Sequence, residues 1–160
     1  MQIAQEMGIL NQGDLVVQTA GTLTGISGST DLIKVGLVRK IVSRGISIGE
    51  IGVTGKARII KNSLDMSLIC PGEILFVPEE LMKNIPLSKN IAGIVTNQNI
   101  NNVYALFNKN NKKISTICNL ENIDNHQISN GDLITLQLNE GVIYKGQIEN
   151  DDAIDKDKYV

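Results

Sequence analysis

The feature that most limits how this chain can fold is a succession of short β-branched and aliphatic runs, each bounded by turn-forming residues. Residues 14–20 (DLVVQTA), 32–38 (LIKVGLV), 57–60 (ARII), 73–77 (EILFV), 91–96 (IAGIVT), 114–118 (ISTIC), 133–138 (LITLQL) and 142–146 (VIYKG) all read as strands. Helical spacing is confined to short stretches. Ile3, Met7 and Leu10 share a helical face ahead of the stop Asn11-Gln12-Gly13, and residues 79–84 and 102–108 supply two further helices. Runs of strands interrupted by helices predict an α/β protein, either two packed layers of sheet or a sheet covered by helices.

The elements divide into two units. A helix and two strands within residues 1–45 leave a sheet face and both sheet edges uncovered, so this part is expected to lean on something else. Gly45, Gly49, Gly52 and Gly55 then recur at short intervals and mark a junction. Residues 46–148 form the second unit, and the charge-rich residues 149–160 are expected to fray.

Charge and composition exclude several functions. A net charge of -2, with three tyrosines, two phenylalanines and no tryptophan, gives no basic or stacking face for nucleic acid. The nearest basic cluster, Lys34, Arg39, Lys40 and Arg44, reads as one solvated face. No apolar run approaches the roughly 20 residues that cross a bilayer. The first residues mix Gln, Glu and Asn among apolar side chains, unlike a secretory signal, so the expected location is cytoplasmic. Cys70 and Cys118 form no CxxC pair, so no metal or redox motif is predicted, and both read as small buried hydrophobes.

Residues 13–35 read GDLVVQTAGTLTGISGSTDLIKV without interruption. Glycines there let backbone N–H groups approach an anion, and the hydroxyls of Ser27, Ser29 and Thr30 can donate to phosphate oxygens. The same composition also suits a plain flexible connection between strands. The segment closely resembles the closing strand, loop and strand of the pyruvate kinase C-terminal domain. In that family the loop closes over a sugar-phosphate effector, commonly fructose 1,6-bisphosphate. The resemblance therefore implies an effector phosphate loop of Gly25, Ser27, Gly28, Ser29 and Thr30, with Lys34 a nearby cation. Asp31 stands where the family has Asn, and a carboxylate there repels phosphate.

From about residue 53, the segments VTGKARIIKN, PGEILFVPEE, AGIVTNQ, KISTICNLEN and NGDLITLQLNEGVIYKG resemble, in order, the extra C-terminal domain of many bacterial pyruvate kinases. That domain is similar to the swivelling β/β/α phosphohistidine domain of phosphoenolpyruvate-utilising enzymes. Its phosphotransferring members carry a T-x-x-G-G-x-T-S-H-A loop whose imidazole accepts phosphate. Here the stretch from Thr96 to Ala105 reads TNQNINNVYA, so Tyr104 takes the place of the histidine, and the glycines and Thr-Ser pair are gone. A phenol is a poor substitute for imidazole as phosphate acceptor. The single histidine, His126, lies away from that position, in the segment before Gly131.

Other motifs carry less. Gly45-x-Ser47-x-Gly49 followed by Asp124 and His126 matches the order of a hydrolase triad, but no helix follows Gly49, and Asp124 and His126 are too close to come from separate loops. Gly55-Lys56 resembles the end of a P-loop, yet Ala57 removes the magnesium-binding hydroxyl. Glu79 and Glu80 follow Pro78 at a helix start, where acids favour the helix dipole.

The resemblance implies a non-catalytic chain with no cofactor of its own: the end of a regulatory domain plus a swivelling accessory domain. Phosphoryl transfer from phosphoenolpyruvate to ADP, with magnesium and potassium, would belong to an upstream barrel. The partners implied are that barrel and its regulatory domain, a sugar-phosphate effector and further copies in a tetramer. The alternative is a phosphocarrier module of a phosphoenolpyruvate-utilising enzyme.

Overall fold

The computed structural model describes residue 4 and residues 7–11, 14–20, 32–38, 40–120 and 127–146. The chain is mixed α/β, with a large mixed sheet and few helices. It divides into two compact units, Met1–Lys40 and Ile41–Val160, so the division falls a few residues ahead of the glycine-marked junction.

In the first unit, β1 (Leu15–Ala20) and β2 (Leu32–Leu37) form an antiparallel ribbon with Val17 opposite Val35 and Thr19 opposite Ile33. Asp14 sets its base: the carboxylate accepts from Asn11 N–H at 2.7 Å, and the carbonyl accepts from Val38 N–H at 2.8 Å. Leu15, Val17, Ile33 and Val35 share one face and are all more than half exposed. A two-stranded ribbon with an open apolar face is marginal on its own. Of the helix expected at residues 3–10, residues 3, 5 and 6 lie outside the described residues; Ala4 accepts from Ile9 N–H and Leu10 N–H as the chain turns.

The second unit contains β3 (Ile41–Arg44), β4 (Ile46–Ile48), β5 (Val53–Ile59), β6 (Glu73–Val77), β7 (Gly93–Thr96), β8 (Ser115–Cys118), β9 (Leu133–Gln137) and β10 (Val142–Lys145). Their order in the sheet is β3-β10-β9-β5-β6-β7-β8-β4. The two ends of that order, β3 and β4, are separated in the chain by Gly45 alone. One bent segment thus pairs with β10 through its first half and with β8 through its second, closing the sheet on itself. Closure removes the open edges that a sheet otherwise presents.

Glycine is required at the bend. A Cβ on Gly45 would lie 2.5 Å from the Cys118 carbonyl and 2.8 Å from Ile117 Cγ2. Gly45 N–H donates to the Gly141 carbonyl at 2.9 Å, and Gly141 takes φ +63° at a place where a Cβ would collide with the Gly45 carbonyl. Residues 45–55, expected to be a junction of turns, include β4 and the start of β5. Residues 41–44 and 46–48 are instead strands, too short and too glycine-flanked to show a period, whose pairing is wholly long-range.

β5 to β8 pair in parallel, and the others antiparallel. The parallel crossovers carry a 3-10 turn at Asp65–Leu68, a second at Glu79–Asn84 and the helix α1 (Ile100–Asn110). The short helical stretch expected at residues 79–84 is present with those bounds, as a 3-10 helix. It is only six residues long, and Ile85, which precedes Pro86, is extended, so the chain cannot wind further. Every residue of β6 is buried, because the strand alternates between two cores. Ile74 and Phe76 join Val95, Ile117, Ile134, Leu136 and Ile143 inside the closed sheet. Leu75 and Val77 join Ile94, Cys118, Met82, Val103 and Phe107 beneath the crossovers.

Polar groups pin this frame. Arg58 on β5 grips Glu73 on β6 with two bonds, Nε to Oε2 at 3.1 Å and a terminal guanidinium nitrogen to Oε1 at 2.7 Å, while Cys70 N–H donates to Oε2 at 2.9 Å. Burial pushes the Glu73 carboxyl up, but Arg58 and the Cys70 N–H outweigh it and hold it below the ordinary value of 4.5. Lys89 Nζ donates to the carbonyls of Met66, Ser67 and Ile69, closing the end of the first 3-10 turn. The cysteines differ: Cys118 is buried and burial pushes its thiol up, whereas Cys70 is exposed, contrary to expectation, because it sits on the turn ahead of Pro71.

Two outcomes follow for stability. Gly45→Ala is expected to lower unfolding free energy by about 1–3 kcal/mol, the usual effect of forcing atoms into packed space, read as a drop in urea midpoint; an unchanged midpoint would contradict closure at this bend. Glu73→Gln is expected to cost about 1–3 kcal/mol at neutral pH, since Arg58 loses its anionic partner. Because the folded carboxyl lies below its unfolded value, its stabilisation is present above about pH 4.5 and lost as pH falls through the folded value. The gap between wild type and Glu73→Gln should therefore narrow in acid.

Candidate functional site

The carboxyl ends of the parallel strands open onto the crossovers, the usual place for ligands in such sheets. Here amide side chains organise that end. β7 finishes at Thr96, whose hydroxyl accepts from Gln98 N–H at 3.1 Å. The Asn97 side-chain carbonyl accepts from Glu79 N–H at 2.8 Å, tying the loop to the turn after β6. Asn119, beyond β8, donates its N–H to the Gln98 carbonyl at 2.9 Å. Loops after three neighbouring strands are thereby fastened together.

Gln98 is the centre of this arrangement. It is 7% exposed, and its Oε1 accepts from Asn99 N–H and from Asn102 Nδ2, both at 3.0 Å. Asn99 caps α1, its side chain accepting from Asn101 N–H at 2.9 Å, and α1 ends where Asn111 adopts a left-handed conformation. Val103 and Phe107 hold the helix onto the sheet. A groove of about 860 Å³ runs between α1 and the Glu79–Asn84 turn, lined by Glu79, Glu80, Met82 and Lys83 on one side and Gln98, Asn102, Ala105, Leu106, Lys109 and Asn110 on the other.

Tyr104 is the fifth residue of α1, nearly half exposed and outside that groove. The residues aligned with a flexible phosphate loop are thus a capped helix start in which amides bond to one another. The effector-loop residues Gly25, Ser27, Gly28, Ser29 and Thr30, with Asp31, lie outside the described residues, as do Asp124, His126, Arg39 and residues 149–160. Lys34 is placed only by its backbone, opposite Gln18 in the ribbon. Lys34 and Arg44 belong to different units.

The hydrolase-like Ser47 lies mid-strand in β4 with its hydroxyl donating to the Leu138 carbonyl, so it is no nucleophile elbow. Gly55 and Lys56 lie within β5 rather than ahead of a helix. Among the described residues, no group of three His, Cys, Asp or Glu could hold a metal ion, and no helix is long and apolar enough to cross a membrane. Sequence reading missed Asn97 and Gln98. The signal available was a strand, the three amide residues Asn97, Gln98 and Asn99, and then a helical run, the layout of a strand-to-helix ligand loop.

No family model matches the chain. Among curated proteins it is 35% identical over 148 residues to pyruvate kinase 2 of a Synechocystis species, covering 92% of this chain and 25% of that protein. It is 30% identical over 145 residues to the pyruvate kinase of Staphylococcus saprophyticus, covering 89% of this chain and 24% of the relative. The pyruvate kinase of Lactobacillus delbrueckii is 26% identical over 151 residues, with 93% and 25% covered. Among solved structures, the microcin C7 self immunity protein MccF aligns with a TM-score of 0.46 and 14% identity over 91% of this chain and 55% of that one, too slight a likeness to bear on fold or function. The chain is thus related in sequence to bacterial pyruvate kinases, over a stretch about a quarter of their length.

Proposed function

We infer that this chain is the C-terminal regulatory and accessory portion of a cytoplasmic pyruvate kinase, the end of the allosteric domain followed by a swivelling-type domain, without catalysis of its own. The observation that carries this reading is the match over about nine-tenths of the chain to a quarter-length of pyruvate kinases. In it, phosphoryl transfer from phosphoenolpyruvate to ADP, with magnesium and potassium, belongs to an upstream barrel. This chain supplies effector-loop and subunit contacts within a tetramer. The open apolar face of Leu15, Val17, Ile33 and Val35 supports a covering partner, since such a face gains stability only when another surface excludes water from it.

A role without phosphohistidine is favoured by the junction after β7. Tyr104 stands inside a formed helix, and the polar groups before it are committed to Asn97, Gln98 and Asn99 contacts. With labelled phosphoenolpyruvate and a cognate phosphotransferring partner, neither the wild type nor Tyr104→His should acquire acid-labile label, because the glycines and the Thr-Ser pair are missing as well. Label on the wild type would favour the phosphocarrier alternative.

The effector role is tested by calorimetry on the chain joined to the upstream regulatory domain. Fructose 1,6-bisphosphate should bind about 3–10-fold tighter to Asp31→Asn, from which a screened like charge near phosphate has been removed. Equal affinity for both would place residue 31 away from the ligand.

A further inference from the structure

Among all the asparagines of the sequence, Asn130 alone is followed by glycine, at the turn that leads into β9. That neighbour matters chemically, because an asparagine carboxamide is open to attack by the backbone nitrogen of the next residue, and a glycine there has no side chain to hinder the approach. Both residues are exposed. Gly131 takes φ +88°, and nothing lies within 4 Å of the place a Cβ would occupy, so water reaches the pair freely.

Pairing with β5 nevertheless holds both reacting groups. The β5–β9 register ends at Lys56 opposite Leu133, and residues 130–132 complete the same edge of β5 beyond it. Ala57 N–H donates to the Asp132 carbonyl at 2.8 Å, Gly131 N–H donates to the Ala57 carbonyl at 2.8 Å, and Ile59 N–H donates to Asn130 Oδ1 at 2.7 Å. The asparagine side chain thus stands in for a strand carbonyl. Attack requires the Gly131 nitrogen to give up its proton and swing onto the Asn130 carboxamide carbon, yet in the folded chain that proton is shared with Ala57 and the carboxamide is anchored two residues further along β5. The turn is braced from behind as well: Asp132 Oδ2 accepts from Ser129 N–H at 2.8 Å and from Lys145 Nζ at 2.7 Å, and Lys145 also donates to the Gln127 carbonyl at 3.3 Å.

We propose that Asn130 is a self-modification site, protected while residues 130–132 stay paired with β5 and deamidated when they part from it. In the open turn the Gly131 nitrogen bonds to the Asn130 carboxamide carbon, the bond from that carbon to Nδ2 breaks, and ammonia leaves with the Gly131 amide proton. A succinimide ring remains. Water then opens the ring at either carbonyl, leaving aspartate or isoaspartate, so the sum is amide plus water to acid plus ammonia. Aspartate keeps the main chain and an oxygen for Ile59 N–H. Isoaspartate adds a methylene to the main chain, which shifts Gly131 and Asp132 out of register with Ala57 and prevents the edge from closing again. Each opening of this seam therefore carries a chance of permanent damage, and the accumulated product records how often the seam has opened. The chemistry stands apart from the reading of the chain as part of a pyruvate kinase.

Peptide mapping by mass spectrometry tests this on the whole chain, aged in mildly alkaline buffer with and without urea above the unfolding midpoint. The peptide containing Asn130 should gain the mass of amide-to-acid conversion, with isoaspartate among the products. Its rate in buffer should be about tenfold or more below that in urea, since modification through an open state follows the population of that state. Lys145→Ala removes the brace on Asp132 and leaves Asn130, Gly131 and β5 unaltered. It should raise the rate in buffer about threefold or more, the size expected for losing a partly exposed ion pair and its hydrogen bonds, and leave the rate in urea unchanged. Equal rates with and without urea, an Asn130 peptide that gains no mass when unfolded, or a Lys145→Ala rate in buffer equal to that of wild type would overturn the proposal.

Discussion

Closure of the sheet by residues 41–48 is the constraint from which the rest of the second unit follows. Because one bent segment pairs with β10 and then β8, the interior face of every strand is turned inward, and Val42, Ile74, Phe76, Val95, Ile117 and Ile134 can fill it. The outer face of the parallel strands β6, β7 and β8 must then be covered by their own crossovers. Val103 and Phe107 of α1 and Met82 of the 3-10 turn do so. The groove between those two crossovers is thus a consequence of how the outer core is roofed, and Arg58, Glu73 and Lys89 fasten the crossover between β5 and β6.

Hydrogen-bond satisfaction decides what the carboxyl end of the sheet can do. A glycine-rich loop leaves backbone N–H groups free for an anion, whereas Asn97, Gln98 and Asn99 place side-chain oxygens on the N–H groups of Glu79, Asn99 and Asn101. Those donors are spent within the protein. Tyr104 lies one turn into that capped helix and is nearly half exposed.

Strands at 15–20, 32–37, 73–77, 93–96, 115–118, 133–137 and 142–145 were legible because each couples a β-branched or aliphatic run to a turn signal at its end. β3 and β4 were not, since three or four residues beside a glycine carry no period, and only Thr116 and Cys118 at one seam and Val142 and Tyr144 at the other reveal why the chain is extended there. The short helical stretch at Glu79–Asn84 was legible with its bounds, while its 3-10 character was not, because the limit imposed by Pro86 acts at its far end. Cys70 was misjudged for a related reason: burial of a cysteine depends on the turn that carries it. Tyr104 could be located through resemblance alone. Gln98 could not, because a glutamine becomes informative only once one of its two amide atoms is known to be occupied.

That occupancy gives Gln98 a structural role at the wall of the groove between two crossovers. A free glutamine on a surface offers donor and acceptor equally and loses rotamer entropy on binding anything. With Oε1 already bonded to Asn99 and Asn102, Gln98 has lost that freedom in folding. The same two bonds tie the end of β7 to the start of α1.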